Sequence, residues 1–107
     1  MTPGRTLLLA RHPGAQAWLR AEAARRGWAP ADVVAHLEEG ALDSSVTRVA
    51  GILPAWLAGQ LCRRGIACWH LVLALDRADR GRELSCAEME RLGARLVRLH
   101  VRLEEGE

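Results

Sequence analysis

The feature that most constrains this chain is a rhythm of short, unbroken apolar runs, each followed by a segment of helical periodicity. The first, Thr6-Leu7-Leu8-Leu9-Ala10, is a short apolar run with no polar alternation after its threonine. Such a run is expected of a strand covered on both faces, not of one with a face in water. The turn Arg11-His12-Pro13-Gly14 then opens a helix predicted to reach about Arg26, with Trp18, Leu19 and Ala23 facing inward and Gly27 as its stop. Asp32 to Leu37 is the second predicted strand and Val46 to Leu53 the third. Pro54, at the first helical position, starts a second helix with Leu57, Ala58, Leu61 and Cys62 as its inner stripe and Gly65 as its stop. Cys68 to Leu75 is a fourth strand, Asp76 to Leu84 a charged loop, and Ser85 with Glu88 a capping box for a third helix. The tail reads two ways: Val97 to Leu103 alternates like a half-exposed strand, while Met89, Leu92, Leu96, Leu99 and Leu103 fit a helical stripe. Gly93 resembles the other two stops, and Glu104-Glu105 would oppose a helix dipole, so a fifth strand is favoured.

Strands alternating with helices predict a parallel sheet wound right-handedly. The expected fold is α/β: one Rossmann-like three-layer sandwich over residues 1–107, with a mostly parallel sheet of four or five strands. No Gly-x-Gly-x-x-Gly follows the first strand, so the dinucleotide fingerprint is missing. A chain of 107 residues buries a smaller share of its surface than a larger one, so pairing with a second copy would help it. No apolar run approaches the ~20 residues that span a bilayer, and a cytoplasmic protein without a membrane partner is expected.

Cys62, Cys68 and Cys86 are odd in number and lack Cys-x-x-Cys spacing, which fits small buried thiols. With four histidines also lacking ligand spacing, neither a metal nor any other cofactor is expected. All 15 basic residues are arginine, a side chain suited to forked contacts with phosphate. The net charge of +2 is too small for coating long DNA.

In open parallel sheets, ligands collect at the carboxyl ends of the strands. Those ends carry Arg11 and His12, then His36, then Gly51, Leu53 and Pro54, and finally the loop holding Arg80, Arg82 and Glu83. Two helix N-termini point to the same rim, offering free N–H groups to an anion. A phosphorylated ligand is therefore favoured. Each residue also has a plainer reading: Arg11 as a solvated arginine, His36 as a core histidine, the Arg80–Arg82 segment as a solvated turn. His70, mid-strand, reads as structural, and Trp56 reads as an interface residue or a base-stacking one.

Two resemblances bear on function. Leu7 to Gly14 locally resembles the strand and Arg-His-Gly turn of histidine phosphatases, whose His attacks a phosphoryl group. Pro13 replaces the glycine, however, and no second His-bearing motif follows. The second resemblance covers nearly the whole chain. It runs through Arg11-His12-Pro13-Gly14-Ala15 with Trp18, Val34-Ala35-His36-Leu37, Gly51-Ile52-Leu53-Pro54 with Leu57-Ala58, and Cys62-Arg63-Arg64-Gly65. It continues through His70-Leu71, Arg80-Gly81-Arg82-Glu83-Leu84-Ser85, Met89 and Gly93-Ala94. In these pieces the chain is similar to the small CRISPR-associated Csx-sixteen family, found beside type III systems and grouped with ring nucleases. It departs from that pattern at Ile52, where threonine is common, and at Ser44-Ser45, where Gly-Asp is common.

The resemblance implies a homodimer that binds cyclic tetra-adenylate and cuts it, removing a messenger that activates defence nucleases. In such a reaction the substrate's own 2′-OH is the nucleophile. Arg11 is the first choice for the phosphate, with Arg82 or Arg80 second. His12 is the candidate acid or base, and Glu83 an orienting group or base. Gly14, His36, Gly51, Leu53, Pro54 and Arg80 are the candidate ligand contacts. A non-catalytic module that only sequesters the ring is the competing reading.

Overall fold

The computed structural model describes residues 4–38, 42–74 and 82–106. Five strands form one sheet: β1 (Arg5–Leu9), β2 (Ala31–Val34), β3 (Val46–Gly51), β4 (Ala67–Val72) and β5 (Arg95–Leu99). Three helices accompany them: α1 (Pro13–Arg26), α2 (Ala55–Arg63) and α3 (Cys86–Arg91). The strand order is β2-β1-β3-β4-β5, with the first four parallel and β5 antiparallel to β4. This mixed α/β sheet with helices on both faces is the Rossmann-like sandwich that the apolar rhythm predicts.

The unbroken run in β1 explains the layering. Leu7 and Leu9 point to one face, where Val49, Cys68 and the α2 residues Ala58 and Leu61 complete a core. Leu8 and Ala10 point to the other, where Trp18, Leu19 and Ala23 of α1 meet Met89 of α3. A period of two in an all-apolar strand feeds both layers at once. The indole N–H of Trp18 donates to Glu90 Oε1 at 2.8 Å, which ties α1 to α3. Among the described residues, no helix is long and apolar enough to cross a membrane.

The expected stops are observed. Gly27, Gly65 and Gly93 each adopt a left-handed φ between 72° and 75°. The capping box is complete, with Glu88 N–H donating to Ser85 Oγ and Ser85 N–H to Glu88 Oε1, both at 3.1 Å.

Several boundaries differ from expectation: β3 stops at Gly51 instead of Leu53, and β4 begins at Ala67 and stops at Val72 instead of running on toward Leu75. β2 ends at Val34, not Leu37, because β1 turns away after Ala10 and leaves β2, an edge strand, without a partner. Pro54 is the N-cap of α2 instead of its first helical residue, with an extended ψ of 149°, and its carbonyl accepts the first helical bond from Ala58 at 2.9 Å. β5 begins at Arg95 and ends at Leu99, and it runs backward for a geometric reason. A six-residue helix rises only about 9 Å, too little to carry the chain the length of a strand. The tail therefore re-enters at the end where β4 left, with Arg95 beside Val72.

Ser85→Ala is expected to cost about 1 kcal/mol of stability through loss of the cap. Gly51→Ala should cost more, since its φ is 142° and a Cβ would lie 2.0 Å from Leu9 O, a backbone atom with nowhere to go. Denaturant melts of both variants check this ranking, and a milder loss for Gly51→Ala would contradict it.

Candidate functional site

β1 lies between β2 and β3, and the chain leaves its two neighbouring ends on opposite faces. α1 departs from β1 over one face, and α2 departs from β3 over the other. A crevice opens where such connections diverge. Here it is a cleft of about 510 Å³, lined from the three strand ends by Arg11 and His12, by His36, and by Ile52 and Pro54, with Leu57 of α2 below.

Backbone contacts fix the floor. Ala10 N–H donates to Val34 O at 3.1 Å and Ile52 N–H to Leu9 O at 3.0 Å, holding the three strand ends in line. The Gln16 amide donates to Ala10 O at 2.9 Å and pins the start of α1. Leu53 N–H donates to Nδ1 of His70 at 3.2 Å, giving that histidine a structural partner.

Charge at the rim is one-sided. Arg11 is exposed and, among the described residues, makes no ion pair or hydrogen bond. His12 is the N-cap of α1, yet its side chain does not cap the helix, and no acidic residue occupies the first turn. α2 likewise starts at Pro54 with no side-chain cap and no acid in its first turn. α3 is built the opposite way, with Ser85 and Glu88 satisfying its N-terminus. Among the described residues, two of three helices thus leave N–H groups and partial positive charge without a side-chain cap, and both open on the cleft.

His12 lines the cleft and also reaches Glu83, with Nδ1 3.4 Å from Oε1, and both side chains are exposed. The structure therefore brings Arg11, His12, His36 and Pro54 to one cleft and joins Glu83 to it through His12. Other candidates are placed differently. Arg82 pairs with Glu88 at 2.5 Å and, with the Ser85 backbone, holds that carboxyl below the usual carboxylate range. Gly14 has a packing role, since a Cβ there would lie 1.7 Å from Leu84 O. Gly51 lets β1 and β3 approach, and Leu53 is buried in the core. Arg80 lies outside the described residues.

Ile52, half exposed, also lines the cleft, although strand-end position points to Gly51, Leu53 and Pro54 as the contacts. Its signal was its place between Gly51 and Pro54 at the end of β3. Burial, with Cys62 beside it, pushes the Cys68 thiol up to about 12, and its single proton has the Ile66 and Ala58 carbonyls as alternative acceptors, which suits a packed thiol and not a nucleophile.

Fold and cleft together define a doubly wound α/β protein with an electropositive crevice at the carboxyl ends of its parallel strands. The chain belongs to a CRISPR-associated family: residues 7–102 match the model of the family described as "Putative CRISPR-associated protein (Cas_VVA1548)". No curated protein and no solved structure matches it.

Packing and rim residues should separate on mutation. Gly14→Ala is expected to lower the melting temperature clearly, whereas Arg11→Ala should stay within about 0.5 kcal/mol of wild type. Thermal melts of the two variants read this directly, and a stable Gly14→Ala variant would refute the packing role.

Proposed function

We propose that the cleft binds cyclic tetra-adenylate and cleaves it, making the protein a ring nuclease of type III CRISPR signalling. The observation that supports this best is the rim: two uncapped helix N-termini converging with an unpartnered Arg11 and with His12. That arrangement suits an anionic, phosphate-bearing ligand. The apolar side chains lining the cleft, Ile52 and Leu57 among them, suit a base or ribose beside the phosphate. The CRISPR-associated family supplies the context in which such a ring is a messenger.

RNA carries its own nucleophile, so the protein has to orient rather than attack. The 2′-oxygen adds to phosphorus, its proton passing to a base, while the bond to the 5′-oxygen breaks and that oxygen takes up a proton. Arg11 neutralises the charge that develops on the phosphate, a contact worth most in the transition state. His12 transfers a proton, with Glu83 orienting its ring through Nδ1. The products are linear fragments ending in a 2′,3′-cyclic phosphate. No step as written calls for a metal.

The test is a single-turnover assay in EDTA. Wild type should cut the ring, Arg11→Ala should be slower by at least about 100-fold, and His12→Ala should lose rate while keeping most of its ring affinity. Binding without cutting by wild type would assign a sequestering module instead. Activity that requires manganese would overturn the mechanism.

We also infer a homodimer, in which a two-fold axis presents the same contacts twice to a ring of repeating units. Trp56, 65% exposed on the first turn of α2, and Ile52, 49% exposed, form an apolar rim suited to burial against a second copy. Light scattering at micromolar concentration should give twice the chain mass, and a monomer mass for wild type would count against it.

A further inference from the structure

Outside the cleft lining, on the sheet face that α1 and α3 share, four elements bring indoles and guanidiniums together in a ladder. Trp28 follows α1, Arg48 stands on β3, Trp69 on β4 and Arg98 on β5. The two indoles are 5.6 Å apart between centroids, tilted by 48°. Arg48 lies 4.4 Å from the Trp28 ring. Arg26 lies over both rings, at 5.1 and 4.9 Å, and Arg98 sits 5.8 Å from Trp69. Three guanidiniums thus alternate with two indoles across three neighbouring strands.

The cations are poorly neutralised. Arg26 pairs with Glu22 at 3.0 Å, but Glu22 is shared with Arg25. Arg48 donates to the hydroxyl of buried Thr6 at 3.0 Å, a neutral acceptor. Neither Arg48 nor Arg98 forms an ion pair with a described carboxylate. Burial, together with the Arg98 and Arg26 charges, lowers the affinity of Arg48 for its proton, as expected where like charges crowd. Arg26 engages Glu22 through Nε and Arg48 engages Thr6 through one terminal nitrogen, which leaves the other N–H groups of both, and those of Arg98, for a further acceptor.

We propose that this ladder is a docking surface for a short stretch of single-stranded nucleic acid. Phosphates meet the guanidinium edges, and an unstacked base extends the ladder beyond its exposed end at Arg98. An acidic peptide would answer the charge but brings no planar ring to extend the alternation of indole and guanidinium. Stacked aromatics between arginines suit a partner that has both phosphates and planar rings. The patch spans β3 to β5, about 10 Å at ordinary strand spacing, so it holds two or three nucleotides. That size agrees with a net charge too low to coat long DNA.

Fluorescence polarisation with labelled ten-residue oligo-uridine and oligo-thymidine tests this in the full chain. Uracil and thymine keep the probes distinct from an adenylate ring. Wild type should bind both probes at low salt, with a log–log salt slope of about −2 for three phosphate contacts on a single strand. Arg98→Glu should weaken binding at least about 10-fold. Arg102→Glu, an equal charge change at an exposed site outside the ladder, should stay within about 3-fold. Cleavage of the ring should be unchanged in Arg98→Glu, so failure here is distinguishable from failure of the cleft reading. If Arg98→Glu does not fold by circular dichroism, Arg98→Gln takes its place with a loss of about 5-fold expected. Three results would overturn the proposal: no saturable binding, equal losses in the Arg98 and Arg102 variants, or displacement of the probe by polyglutamate at matched charge.

Discussion

Everything in this structure hangs on the double burial of β1. Leu7, Leu8, Leu9 and Ala10 are all buried, two to each face, and the strand is paired on both edges, by β2 and by β3. One four-residue run therefore seeds both cores, and it forces the helices to opposite sides. Those helices leave at the same end of the sheet, which is why a cleft forms beyond Ala10. The arginine and histidine that follow need no special folding of their own. They emerge where a fully buried strand has to turn into solvent.

Much of this was legible in the residues because the signals were local. Apolar runs, glycines at helix ends and the Ser85–Glu88 pair each act within a few positions; the glycines and the capping box stand where they were read, and each run holds a strand, though a shorter one for the second, third and fourth. What was not legible depends on partners distant in the chain. The pattern Asp32 to Leu37 is apolar enough for a strand, but a strand lasts only as long as its neighbour, and β1 departs first. The direction of β5 was set by the shortness of α3, a tertiary consequence that alternation in the tail does not encode.

The site divides in the same way. Position at strand ends identified Arg11, His12, His36 and Pro54, and these do share a cleft. Position alone could not separate a glycine that touches a ligand from one that admits a neighbouring backbone, as at Gly14 and Gly51. Nor could it show that Arg82 turns to Glu88 or that Leu53 points into the core. The contrast between α3, fully capped, and α1 and α2, left open, was visible only once the helix boundaries were known. The Trp–Arg ladder was invisible for a related reason, since its members come from four separate elements.

The two outer strands have a consequence for how copies of this chain meet. β2 has only four residues, and its exposed Asp32 is held by Arg5 at 3.1 Å. β5 carries Arg95 and Arg98, both exposed, along a five-residue strand. Short, charged borders resist the addition of a foreign strand. Both borders thereby disfavour continuation of the sheet from one molecule into the next, the route by which chains join into ribbon-like aggregates.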